Sequence, residues 1–173
     1  APYRKRFDRT HNTKDIKNNF QHIDKDDLAK RQPIVVTAGR IMTKRDQGKA
    51  GFANIQDQYG QIQIYCREDR LGDSYEIFTK SDIGDIIGVK GEVFRTRTGE
   101  LTIKVNEYYH LTKALRPLPE KYHGLQDIEE RYRRRYVDLI VNEDVRRRFE
   151  IRSHIIFALR TYLHDLGYLE VET

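Results

Sequence analysis

Between residues 34 and 110 the chain alternates apolar and polar side chains in five short runs, near 34–43, 51–57, 61–66, 86–95 and 101–110. Alternation at period two marks a strand with one buried and one wet face. Turn residues separate the runs: Gly48 and Gly51, then Gln58-Tyr59-Gly60, and finally Thr96-Arg97-Thr98-Gly99. Residues 71–78, between the third and fourth runs, read as a short helix. Three strands, a helix and two more strands is the order of an OB-fold, a small barrel that often binds single-stranded nucleic acid. Strand count alone leaves an SH3-like or other small barrel open.

Parity then sorts the side chains. In Phe52-Ala53-Asn54-Ile55-Gln56 the aromatic ring shares a face with Asn54 and Gln56, opposite Ala53 and Ile55. In residues 61–66 the buried set is Ile62, Ile64 and Cys66, so Gln63 faces out with Gln61 and Tyr65. In residues 100–105 it is Leu101, Ile103 and Val105, so Glu100 faces out with Thr102 and Lys104. Phe52, Gln63 and Glu100 are therefore expected on one polar face. An exposed aromatic beside amide and carboxylate groups can stack on a base and read its edge. Arg40, Lys44, Arg45 and Lys49 cluster about the first hairpin, where they read as phosphate contacts or as a solvated turn.

Charge refines this expectation. The net charge is +5, yet residues 34–112 carry 11 Lys/Arg against 11 Asp/Glu. A sequence-blind phosphate binder usually shows a basic stripe. A neutral barrel fits base reading better than charge-driven binding. The single cysteine, Cys66, falls on a buried parity and implies a reducing, cytoplasmic compartment. No apolar run is long enough to span a membrane, so no membrane partner is expected. The six histidines make no metal-ligand spacing with that cysteine, and no phosphate-loop or nucleophile motif occurs.

Around the barrel, residues 1–12 read as a poorly ordered basic arm and 13–31 as short amphipathic helices, with Thr13 a possible N-cap. The expected division is an arm and helix at 1–32, the barrel at 33–112, a linker at 113–125 containing Pro117 and Pro119, and a second domain from 126 to 173. That second part reads as a charged helix near 126–141 and a longer one near 143–166, capped by Asn142 and ended by Gly167. Val145, Phe149, Ile156, Leu159, Leu163 and Leu166 form the longer helix's apolar stripe. Residues 168–173 alternate like a strand. Such a stripe has little around it to pack against, so the second domain is expected to be truncated.

Specific stretches resemble a known family. Gly39-Arg40-Ile41-Met42-Thr43-Lys44-Arg45, Gly48-Lys49-Ala50-Gly51-Phe52 and Gly60-Gln61-Ile62-Gln63-Ile64-Tyr65 resemble the anticodon-binding domain of class II lysyl-tRNA synthetases. So do Gly84-Asp85-Ile86-Ile87-Gly88-Val89-Lys90-Gly91 and Thr98-Gly99-Glu100-Leu101. The segments Leu111-Thr112-Lys113-Ala114-Leu115-Arg116-Pro117-Leu118-Pro119, His123-Gly124-Leu125-Gln126-Asp127 and 131–140 resemble the bacterial-type lysyl enzymes more than the aspartyl or asparaginyl ones. The resemblance covers about residues 33–173 and implies a mainly β chain. Its OB-fold barrel is preceded by short helices and followed by two helices that begin an α+β class II catalytic domain.

The same resemblance implies roles. Phe52 would stack on an anticodon base of tRNA-Lys, Gln63 and Glu100 would hydrogen-bond bases, and Arg40, Lys44, Arg45 and Asn54 would assist. Phe149, Ile156, Leu163 and Tyr168 would belong to the homodimer interface of class II motif 1. ATP and Mg²⁺ would serve the full-length parent, whose motifs 2 and 3 are absent here, so this chain would bind no cofactor and be non-catalytic. Two other readings stay open: a sequence-tolerant single-strand-binding module, and an aspartyl- or asparaginyl-type enzyme.

Overall fold

A computed structural model describes residues 6–119, 125 and 127–172. The chain divides into two compact units, one ending at Pro117 and one beginning at Leu118.

In the first unit, α1 (Thr13–Phe20) and α2 (Lys25–Arg31) precede β1 (Ile34–Gln47), β2 (Ala50–Asp57) and β3 (Gly60–Arg67). Two short helices, α3 (Glu68–Leu71) and α4 (Ser74–Lys80), lead to β4 (Ile86–Arg95) and β5 (Leu101–Thr112). The strands close a barrel in the order β1-β2-β3-β5-β4, antiparallel except for the β3–β5 seam. This is the OB-fold, with its helical connection between the third and fourth strands. Val35, Ile41, Ile55, Ile64, Ile87, Val89, Ile103 and Val105 fill the interior. Each stabilises the fold by roughly 1.5–3 kcal/mol. Phe78 of α4 closes one end, edge-on to Tyr108 at 5.7 Å. Gly51 makes room for it, because a Cβ there would lie 2.6 Å from the Phe78 ring.

Two β-bulges interrupt the simple alternation. In β1 the register passes from Ile41↔Ile55 to Thr43↔Asn54, leaving Met42 unpaired. A bulge exchanges the two faces of the residues beyond it. Val35, Thr37 and Ile41 are buried before the bulge; after it, odd positions face out and Lys44 turns inward. In β5 the register passes from Glu107↔Lys90 to Val105↔Gly91, leaving Asn106 unpaired. Ile103 and Val105 are buried before it and Tyr108 after it. Thr102, expected to face water, is on the outer side of the sheet but fully covered.

The N-terminal segment departs from the expected loose arm where it is described. Phe7 lies against Gly88, where a Cβ would come within 2.4 Å of its ring, and tilts against Tyr109 at 5.6 Å. The Val36 amide donates to the Thr10 hydroxyl at 3.0 Å, and the Thr10 amide donates back to the Val36 carbonyl at 2.9 Å. Residues 1–5, including Tyr3-Arg4-Lys5 of that arm, lie outside the described residues. The α1 N-cap is Asn12, in a capping box with Asp15, not Thr13. Thr13 is instead buried, its amide and hydroxyl donating to Asp57 at 2.8 and 2.5 Å, which ties α1 to the β2–β3 hairpin.

In the second unit the helix expected at 126–141 is two, α5 (Ile128–Arg133) and α6 (Arg135–Val141), broken at Arg134 with φ −115° and ψ 53°. Buried Asp138 draws donors from both: Arg131 at 3.0 Å and Arg135, with Asn142 at 2.6 Å. Burial opposes the charge, but the Asn142 and Arg131 bonds hold the carboxyl below its usual range. Asn142 occupies the N-cap position of α7 (Glu143–Asp165), yet its side chain goes to Asp138 and makes no cap bond. Gly167, at φ +86°, ends α7. Its amide bonds the His164 carbonyl and that of Tyr168 the Leu163 carbonyl, a Schellman motif. Residues 168–172 form no strand, since a strand needs a partner to pair with. Residues 120–124 and 126, within the expected linker and the first helix's start, and Thr173 lie outside the described residues.

Candidate nucleic-acid interface

The outer face of the barrel carries a groove of about 440 Å³. Register shows how it is assembled. Arg45 pairs with Phe52, Phe52 with Tyr65 and Tyr65 with Lys104, one row across β1, β2, β3 and β5. The neighbouring row runs Thr43, Asn54, Gln63, Thr102 and Phe94. The β4–β5 turn adds Thr96, Arg97, Thr98 and Glu100 to the groove's wall.

Phe52 is half-buried, because Tyr65 stacks on one of its faces at 4.6 Å and 25°. Tyr65 does not line the groove. One face of the Phe52 ring is thus backed by an aromatic neighbour, and the ring still borders the groove. Phe94, in the neighbouring row, lies 6.2 Å from Tyr65, with the Lys104 ammonium 5.7 Å from its centroid.

Gln63 lies across from Asn54 on the groove floor, and its Oε1 accepts a hydrogen bond from the buried Thr102 hydroxyl at 2.9 Å. Glu100 is exposed, one residue before β5, with its amide donating to Thr96 Oγ1 at 3.0 Å. Arg95 anchors this turn, donating to the Gly99 carbonyl at 2.7 Å and to the Gln21 and Ile23 carbonyls beyond α1 at 2.5 and 3.0 Å. The turn is thereby held against the N-terminal helices.

Phe52, Asn54, Gln63, Glu100 and Arg45 therefore converge on one groove. Arg40 and Lys44 do not. Arg40 donates to the Gly84 carbonyl at 2.7 Å. Lys44, turned inward by the bulge, donates to the Thr79 and Ser81 carbonyls at 2.8 and 2.9 Å and pairs with Asp46 at 2.9 Å. It neutralises the C-terminal end of α4, where its ammonium also lies 4.9 Å from the Phe78 centroid. Lys49 points to solvent outside the groove. Sequence reasoning missed Arg97, whose only signal was its place in a turn next to Glu100. It also missed the backing role of Tyr65, which cross-strand register alone reveals.

An aromatic ring, two amides, a carboxylate and two guanidinium groups can stack on a base, pair with its edge and hold an adjacent phosphate. The four residues implied at a dimer interface stand exposed in the second unit: Phe149, Ile156, Leu163 and Tyr168. Among the described residues no group of three or more His, Cys, Asp or Glu side chains is placed to hold a metal, and no helix is long and apolar enough to cross a membrane.

Residues 35–111 match the OB-fold nucleic acid binding domain family, and residues 127–173 match the class II tRNA synthetases of the D, K and N group. Residues 35–111 thus carry an OB-fold domain, and residues 127–173 the start of a class II synthetase domain. Within that class its similarity is to lysine members. It is 56% identical to the lysine–tRNA ligase of Lysinibacillus sphaericus, 57% to that of Bacillus subtilis and 56% to that of Halalkalibacterium halodurans, in each case over 99% of this chain. The aligned region is 35%, 35% and 34% of those proteins, so the chain spans about a third of the length of the curated relatives it matches.

Proposed function

We propose that the groove binds the anticodon loop of tRNA-Lys, as the tRNA-recognition part of a lysine–tRNA ligase. The observation that carries this reading is the convergence of Phe52, Gln63 and Glu100, from three separate elements, on one groove of an OB-fold. A base slides onto the free face of Phe52, whose other face Tyr65 covers. Stacking contributes roughly 1–3 kcal/mol per base. Gln63 and Asn54 then meet that base's edge, and Glu100 meets a flanking base. Arg45 and Arg97 offset the phosphates. Lysine codons require a central uridine in the anticodon, and that is the base assigned to Phe52 and Gln63.

For the whole enzyme the proposed activity is ATP-dependent activation of lysine and its transfer to tRNA-Lys, in the cytoplasm, by a homodimer. ATP and Mg²⁺ belong to that chemistry in the full-length enzyme, and among the described residues no group of acidic, histidine or cysteine side chains is placed to hold the metal. The exposed side chains of Phe149, Ile156, Leu163 and Tyr168 support a second copy as the cover for that surface.

The test is Phe52→Ala against the tRNA-Lys anticodon stem-loop. Binding weaker by about 1–3 kcal/mol, with the barrel's melting temperature retained, is expected. Unchanged affinity in a folded variant refutes the site.

A further inference from the structure

Arg95, the last residue of β4, directs its whole guanidinium at main-chain carbonyls. Nη1 donates to Gly99 at 2.7 Å, Nη2 to Gln21 at 2.5 Å and Nε to Ile23 at 3.0 Å. A guanidinium only donates and a carbonyl only accepts, so none of these bonds can run the other way. One side chain thus bridges two pieces of the chain. Gly99 belongs to the β4–β5 turn. Gln21 is the C-cap of α1 and Ile23 follows it, at a helix end where carbonyls lack helical partners and a cation is favoured. The turn has bonds of its own: the Thr96 amide donates to the Glu100 carbonyl at 3.0 Å and the Gly99 amide to the Thr96 carbonyl at 3.1 Å. Those give the turn its shape, and the Arg95 bonds fix where that shape stands. α1 is itself keyed into the barrel, by Ile16 in the core and by the bonds from Thr13 to Asp57.

We propose that Arg95 is a positioning residue for RNA binding, bracing the groove's wall against α1; the inference rests on the reading of the groove given above. The wall residues Arg97, Thr98 and Glu100 all ride on this turn. The brace acts on the turn's backbone, and the exposed Arg97 and Glu100 side chains keep their own rotamers. What it removes is motion of the platform beneath them. An unbraced turn swings as a unit and carries those contacts off the ligand together. RNA must then order the turn as well as the side chains, and that entropy lowers affinity. The floor residues Phe52 and Gln63 stand on β2 and β3 and do not depend on the turn. Arg95 does not line the groove, so its effect runs through the wall. Three carbonyls in fixed directions suit a planar fork of donors, whereas an ammonium is a compact point charge.

The test is anisotropy titration of this chain and its variants with the tRNA-Lys anticodon stem-loop across a salt series, with circular dichroism melts to check folding. Arg95→Gln removes charge and fork together. Arg95→Lys, the milder change, keeps the charge without the fork. Both should bind about three- to tenfold more weakly than the unaltered chain. The slope of log affinity against log salt should stay as it is, because no phosphate contact is lost; losing one would reduce it by about one. In the Arg95→Gln background Arg97→Ala should cost less than in the unaltered chain, while Phe52→Ala should cost the same. A general weakening of the fold would make no such distinction between wall and floor. Unchanged affinity in either folded variant overturns the inference. So does a slope reduced by about one, which would place Arg95 on a phosphate, and so does full additivity of Arg97→Ala with Arg95→Gln. Failure of the unaltered chain to bind the stem-loop refutes the anticodon reading itself, a separate outcome.

Discussion

Replacing Asp85 with asparagine tests the electrostatics that fasten the end of the barrel. Asp85 is fully buried just before β4 and accepts four hydrogen bonds. Two come from the backbone amides of Ala114 and Asp82, at 2.8 and 2.9 Å. Two come from side chains, Lys113 at 2.9 Å and His110 at 3.1 Å. Burial pushes its pKa up, but these donors outweigh burial and bring it down from 3.8 to about 2. At about 1.36 kcal/mol per pH unit that gap amounts to roughly 2.5 kcal/mol of stability. Because the folded pKa is depressed, this contribution is complete above pH 3.8 and disappears as pH falls through about 2. Asparagine offers one acceptor where the carboxylate offered two, and turns an amino group towards donors. Asp85→Asn should therefore lower the unfolding free energy of the barrel by about 2–3 kcal/mol at pH 7. Urea unfolding followed by far-ultraviolet circular dichroism measures it, and repeating the titration between pH 5 and 2 should show the gap between the two proteins narrowing. Equal urea midpoints at pH 7, or a gap that persists undiminished at pH 2, would refute the reasoning.

Other consequences are sharp enough to check together. Lys44→Ala should cost about 1.5–3 kcal/mol of stability, because it removes charged hydrogen bonds at the end of α4; Arg45→Ala should leave stability within about 0.5 kcal/mol and weaken stem-loop binding instead. Thermal melts and anisotropy titrations of the two variants separate these effects, and the reverse assignment would contradict the geometry. Tyr65→Ala should weaken stem-loop binding in the unaltered background but add little to Phe52→Ala, since its effect runs through the Phe52 ring; fully additive losses would mean that Tyr65 meets the RNA itself. Binding measured across a salt series should show a shallow slope, equivalent to about two or three phosphate contacts, because residues 34–112 are formally neutral.

The barrel was legible because alternation and turn chemistry are local, and all five strands lie where the sequence puts them, although the single helix expected at 71–78 is two, α3 and α4, parted at Gly72-Asp73. The convergence of Phe52, Gln63 and Glu100 was legible for the same reason. What local reasoning missed depends on neighbours in space. The bulge at Met42 has no sequence signature, and it turns Lys44 from the wet face inward to the end of α4 while leaving Arg45 on the groove. The break at Arg134 lies between two helices that both supply arginines to Asp138, a contact that helical periodicity does not encode. Thr102 shares the outward parity of Lys104 and is nonetheless covered. The N-cap moved by one residue because Asp57, 44 positions away, takes the Thr13 hydroxyl.

Anisotropy titration of the chain, at near-physiological salt, with the tRNA-Lys anticodon stem-loop and its central-cytidine counterpart tests the central claim most directly. At least about tenfold tighter binding to the uridine loop is what an anticodon-reading groove predicts. Equal affinity for the two would contradict it and make the groove a sequence-tolerant binder of single strands.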